Sequence, residues 1–130
     1  MSLQISIMTP DRVFWNEQAE EIILPTNTGQ MGVLTNHAPL ITALDIGVML
    51  IRTQKEWISV ALMGGFALVK QNQVTILVNE AEAASTINAT EAETAFNEAK
   101  QRLEAATTEK ERVEATFAFK RARTRFQLVN

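Results

Sequence analysis

These 130 residues contain no cysteine, no tyrosine and one histidine, His37, and neither glycine nor proline occurs after Gly65. Without cysteine there can be no disulfide and no thiolate metal site, and the redox state of the compartment leaves no mark. A single histidine excludes a His pair at metal-ligand spacing, and no glycine-rich loop ends in Lys-Ser/Thr to cradle a phosphate. A hydrolytic triad would have to be built around His37, which lies in the turn-like segment Asn36-His37-Ala38-Pro39 and reads as a structural loop residue. Glu17, Glu20 and Glu21 cluster, but Ile22 to Leu24 follow directly, so they mark the solvated end of a strand rather than a carboxylate dyad. No catalytic residue, metal ligand or cofactor is expected.

Long apolar runs are missing too. The longest stretch without a strongly polar side chain, Val60 to Val69, covers about half of the roughly 20 residues a spanning helix needs and contains two glycines. Membrane association is therefore expected only at the periphery, through a partner. Residues 1–4 have neither the basic start of a secretory signal nor the Arg/Ser-rich character of a transit peptide, so the protein is expected to work where it is made.

What is present divides in two. With 46% hydrophobic and 21% charged residues and a net charge of -3, the chain has the composition of an ordinary globular protein. All glycines and prolines lie in the front half, which alternates with period two. Leu3, Ile5 and Ile7 share one face, as do Val74, Ile76 and Val78. Further strands are expected at Arg12 to Trp15, Glu20 to Leu24, Gly32 to Leu34, Leu40 to Ala43, Gly47 to Arg52, Glu56 to Met63 and Gly65 to Val69. Hairpin tips fall at Thr53-Gln54-Lys55 and Gln71-Asn72, and Gly64-Gly65 predicts a bulge or bend. The front half reads as one antiparallel sandwich or barrel, residues 1–85.

Residues 86–130 change period. Asn88 with Glu91 and Thr90 with Glu93 are overlapping capping-box candidates ahead of Ala92, Ala95, Phe96, Ala99, Leu103 and Ala106. Thr108 with Glu111 opens a second helix whose seam is Ala115, Phe119, Ala122, Phe126 and Val129. Phe117, Phe119 and Phe126 are expected to pack within this antiparallel hairpin. The pairs Lys100–Glu104, Glu98–Arg102 and Lys110–Glu114 are spaced to support it at i,i+4. Two helices of this size fall below the roughly 70 to 80 residues at which one core supplies useful stability, so the hairpin must lean on something. After Glu114 every charged residue is basic, namely Lys120, Arg121, Arg123 and Arg125, which implies an acidic partner. Nucleic acid is the poorer match, because no tyrosine or tryptophan is interleaved and the net charge is negative.

The segment from Glu21 through Leu40, containing Leu24-Pro25-Thr26-Asn27-Thr28-Gly29-Gln30-Met31-Gly32 and Asn36-His37-Ala38-Pro39, resembles the amino-terminal domain of the epsilon subunits of F-type ATP synthases. Ala61 to Ala67, Val74 to Asn79 and Phe119 to Arg125 resemble the chloroplast and cyanobacterial members, so the resemblance covers essentially the whole chain. It implies an α+β fold, a ten-stranded antiparallel β-sandwich followed by an antiparallel two-helix hairpin. It further implies a non-catalytic rotor subunit whose partners are the gamma subunit, the c-ring and the alpha and beta catalytic subunits. Asn27, Thr28, Gly29, Gln30 and Met31 would meet the c-ring, and Asn36, His37, Ala38 and Pro39 would lie near gamma. Lys120, Arg121, Arg123 and Arg125 would obstruct ATP hydrolysis from a raised hairpin. The implied location is the stromal side of a chloroplast thylakoid, or the cytoplasmic side of a cyanobacterial one. Where some bacterial relatives bind ATP through Ile/Leu-Asp-x-x-Arg-Ala, this chain has Ile87-Asn88-Ala89-Thr90-Glu91-Ala92. Glutamate in place of arginine exchanges attraction to phosphate for repulsion, so tight ATP binding is not expected.

Overall fold

The computed structural model describes residues 2–130; Met1, part of the amino-terminal segment read above, lies outside them. Eight strands are followed by two helices: β1 Leu3–Thr9, β2 Arg12–Ala19, β3 Glu21–Thr26, β4 Gly29–Leu34, β5 Leu40–Arg52, β6 Trp57–Lys70, β7 Gln73–Val78, β8 Ala81–Ala83, α1 Ala89–Ala105 and α2 Glu109–Val129. A single 3-10 turn, Ala84–Thr86, links sandwich to hairpin.

The pairing order β2-β1-β7-β6-β5-β3-β4, with β8 added to β6, is one continuous ladder that folds into two leaves. The long β5–β6 hairpin belongs to both. Its open end, Leu40 to Leu44 against Gly65 to Val69, continues into β7, β1 and β2. Its tip half, Ile46 to Arg52 against Trp57 to Met63, joins β3 and β4 on one side and β8 on the other. Eight strands therefore stand where ten were expected. The segments read separately at Leu40 to Ala43 and Gly47 to Arg52 are one strand, as are Glu56 to Met63 and Gly65 to Val69. Cutting both at the crossing restores ten. The sheet is also not wholly antiparallel, since β1 runs parallel to β7 from Gln4↔Gln73 to Met8↔Leu77.

At the crossing the inward face changes parity. In β6 the core residues are Val60 and Leu62 before the crossing but Ala67 and Val69 after it; in β5 they are Leu44 before it and Met49 and Ile51 after it. Gly64 and Gly65, at φ +80° and +149°, interrupt the alternation. A Cβ on Gly65 would lie 2.0 Å from the Leu77 carbonyl oxygen, so only glycine fits there. Between the leaves Leu3, Ile5, Ile7, Ile22, Leu24, Val33, Ile51, Leu62 and Ile76 are fully buried, each contributing about 1.5–3 kcal/mol of transfer free energy.

The helices begin where side chains cap them. Asn88 accepts a hydrogen bond from the Glu91 N–H at 3.0 Å and Thr108 one from the Glu111 N–H at 3.1 Å, whereas Thr90 lies inside α1 and does not cap. Phe96 stands 5.5 Å from Phe119 and 5.2 Å from Phe126, ring centre to ring centre, and forms the hairpin core. Phe117 departs from expectation, being exposed on the outside of α2. Of the charge pairs foreseen along single helices none closes among the described residues; Arg102 reaches Glu114 across the hairpin at 3.7 Å instead. Antiparallel packing brought the two helices close enough for that choice.

Candidate functional site

Each leaf has an outward face, and the two are unlike. On the tip-half leaf, Ala61 and Met63 are buried although they point away from the sandwich core. Register places Val48, Ala61 and Glu82 in one row and Ile46 with Met63 in the next, and α2 packs on β5 and β6 there. The cover is fastened by charge. Lys120 Nζ donates to both Asp45 carboxylate oxygens at 3.2 Å, and Arg121 Nη2 to Glu80 Oε2 at 3.0 Å. Arg125 makes a two-pronged contact with Glu82, Nε to Oε1 at 2.8 Å and Nη2 to Oε2 at 3.1 Å. That last pair is the best shielded of the three and has the geometry that makes guanidinium–carboxylate bonds strong. Hydrogen bonding to Glu80 raises the Arg121 guanidinium further above its usual range, so it is charged at any working pH.

Arg123, the fourth predicted residue of the basic segment, is exposed and makes no ion pair among the described residues; its guanidinium sits 5.3 Å from the centre of the Phe119 ring. Thr124, which sequence reasoning passed over, is buried on α2 between these cations. Three of the four basic residues are thus already matched to acids of the same chain. They do not form the open patch a phosphate backbone would need.

The other leaf is bare. Register aligns Ala43, Phe66, Leu77, Met8 and Val13 in one row across five strands, with Ile41 and Leu68 beside them in the next. Ile41, Phe66, Val13, Leu77 and Leu68 are between 43% and 72% exposed, although they are large and apolar. Such a contiguous strip marks an interaction surface. Sequence alternation alone could not find it, because Gly65 to Val69 is apolar at nearly every position and offers no polar face to mark the outside. Pairing register identifies it.

The loop Asn36 to Pro39 runs directly into Ile41 at one corner of this strip. Asn36, at φ 64°, donates its N–H to the Asn72 side-chain oxygen at 2.6 Å, and Gln4 donates its N–H to the Asn72 carbonyl. One asparagine therefore ties the loop, the β6–β7 turn and β1 together. His37 is half-buried, with Nδ1 2.7 Å from the Ala38 carbonyl oxygen.

The third predicted segment, at the β3–β4 turn, borders the end of the bare strip, where Asn27, Thr28, Gln30 and Met31 line a small groove with Thr42 and Ala43. Asn27 to Gln30 are exposed, while Met31 is half-buried and packs against the core, which removes part of it from an outward contact. Thr26 donates its hydroxyl to the Gly29 carbonyl at 2.7 Å and closes the turn. Gly47 lets Pro25 approach, since a Cβ there would meet the proline ring at 2.8 Å. At the opposite end a groove of about 570 Å3 lies between Trp15, Ile58 and the β5–β6 tip, with Glu17, Glu20, Lys55 and Glu56 on its walls. Arg52 pairs with Glu20 and, at 2.9 Å, with Glu21, so two of the three clustered acids serve a structural ion pair. Among the described residues no group of three or more His, Cys, Asp or Glu is placed to hold a metal.

Two family models match, the β-sandwich domain of the ATP synthase delta/epsilon chain over residues 2–84 and its long α-helix domain over residues 85–130. The chain belongs to the ATP synthase delta/epsilon family. Its relatives there include the chloroplastic ATP synthase epsilon chains of Tupiella akineta, 78% identical with both chains covered in full, and of Chlorella vulgaris, 76% identical over 99% of this chain and 96% of the relative. The epsilon chain of this family is accordingly of the chloroplast type here. The fold is shared with a chain of the Euglena gracilis mitochondrial ATP synthase, at TM-score 0.84 and 23% identity, covering 95% of this chain and 78% of that one. It is shared also with a chain of the Tetrahymena thermophila mitochondrial enzyme, at TM-score 0.72 and 17% identity, covering 100% and 98%.

Proposed function

We propose that this chain is the epsilon-type subunit of the central stalk of a chloroplast ATP synthase, joining the catalytic head to the c-ring and restraining ATP hydrolysis. It would lie on the stromal side of the thylakoid as a peripheral component and carry no catalytic residue of its own. Residues 1–85 act as the docking part and 86–130 as the regulatory part. The observation that carries this reading is the full-length likeness to chloroplastic epsilon chains.

The division of labour follows from the surfaces. The apolar strip of Phe66, Leu77, Ile41 and Leu68, with Asn36, His37, Ala38 and Pro39 at its corner, seats the gamma subunit. An apolar face of this kind suits a permanent partner, because its burial is not screened by salt. Asn27, Thr28, Gly29 and Gln30, with Met31 behind them, form the exposed turn that rests on the c-ring. Lys120, Arg121, Arg123 and Arg125 act on an acidic segment of the catalytic head when the hairpin rises. The reading is tested on a catalytic complex depleted of its own epsilon chain. Adding this chain should inhibit ATP hydrolysis, and the variant with all four cations changed to alanine should bind the complex but not inhibit. Failure of the unaltered chain to bind would overturn the stalk assignment; binding without inhibition would overturn the brake.

A further inference from the structure

Three of the four cations through which the hairpin would act as a brake are held by Asp45, Glu80 and Glu82 in this conformation. These acids come from separate places, β5 at the leaf crossing, the β7–β8 connection, and β8, yet they align along one side of α2. The apolar part of the same interface consists of the buried Ala61 and Met63 with the partly buried Val48 and Ile46. Seating of α2 thus combines this apolar contact with three ion pairs.

We propose that Asp45, Glu80 and Glu82 form a latch that holds the hairpin down by occupying the very cations an acidic partner would take. Lys120, Arg121 and Arg125 cannot pair with the sandwich and with a second acidic surface at once, so releasing the latch and engaging the partner are a single exchange of acids. The strength of the sandwich acids then sets how often the hairpin is raised, because only the difference in free energy between the two docked states counts. Arg123 stands outside the exchange. It has no acidic partner among the described residues in the lowered state, remains available to an approaching acidic surface, and contributes only to the raised state. This proposal rests on the reading of the hairpin as a brake, and its test separates the two.

The full-length chain with Asp45→Asn, Glu80→Gln and Glu82→Gln keeps every cation and nearly every atom of the interface. In the isolated chain, amide hydrogen exchange within residues 115–126 should quicken by about tenfold, the combined effect of losing three partly exposed pairs. In the depleted catalytic complex the half-inhibitory concentration should fall by a similar factor, about tenfold. The charge swap Glu82→Arg with Arg125→Glu should restore slow exchange relative to Glu82→Arg alone. Unchanged exchange in the triple variant overturns the latch, whatever happens to inhibition. Faster exchange with unchanged inhibition leaves the acids as a fastening only and overturns the exchange of partners, while the brake reading falls only if the unaltered chain binds without inhibiting.

Discussion

The two outward faces of the sandwich are made from the same β5–β6 hairpin, yet one is covered by the chain's own helix and the other is bare. On the covered face Ala61 and Met63 are buried beside Val48 and Ile46, and carboxylates rim them. On the bare face they are large and apolar, and Thr75, Ser6 and Asn16, which continue the Ile41–Leu68 row, supply the nearest polar edge. An ion pair in a partly exposed setting is worth about 0.2–1 kcal/mol and weakens with salt, so the three that fasten α2 add a modest, salt-sensitive share to its apolar contact. Large apolar side chains each bury more free energy than that, so the other surface suits a contact that persists. The side chains of one face suit a reversible contact and those of the other a lasting one, as the proposed roles require.

The most damaging way to test this contrast is to remove the crossing that separates the faces. Gly65→Val would drive a side chain into the Leu77 carbonyl at a backbone angle that non-glycine residues avoid, and should destabilise the fold by about 4 kcal/mol or more, read as a large loss of thermal stability. Next in size, Phe66→Asp with Leu77→Asp should weaken binding to gamma by about a hundredfold in titration calorimetry while leaving α2 protection unchanged, since truncated or charged hot-spot residues cost 2 kcal/mol or more. Raising salt from about 0.05 M to about 0.5 M should sharpen the comparison without any mutation, because screening lengths shrink severalfold over that range. Exchange in α2 should accelerate by a few-fold, and gamma binding should move far less. Arg123→Gln should have the smallest effect. Inhibition should weaken by about threefold with no change in α2 exchange, because the residue has no sandwich acid to lose.

Much of this is legible in the sequence. The strand alternation of Leu3 to Ile7 and Val74 to Val78, the turn at Gln71-Asn72, the bend at Gly64-Gly65 and the caps Asn88 and Thr108 are local features written in adjacent residues. The basic end of α2 was equally plain, but its partners were not. Asp45, Glu80 and Glu82 are 75, 41 and 43 residues from the cations they hold, and nothing local signals those pairings. Likewise Ile41, Leu68, Phe66 and Leu77 carry the signature of core strands, and Phe117 resembles the other hairpin phenylalanines in everything but position.

By itself, then, the sequence determined the kinds of element, their order, their caps and turns, and through its motifs the family, because each depends on backbone preferences and periodicity over a few residues. Only the tertiary structure decided which face of each strand lies outside, which outside is covered, and which acids neutralise Lys120, Arg121 and Arg125. Burial and ion pairing depend on residues distant along the chain, and β5 and β6 change faces midway, so a single period-two reading cannot be carried through the crossing.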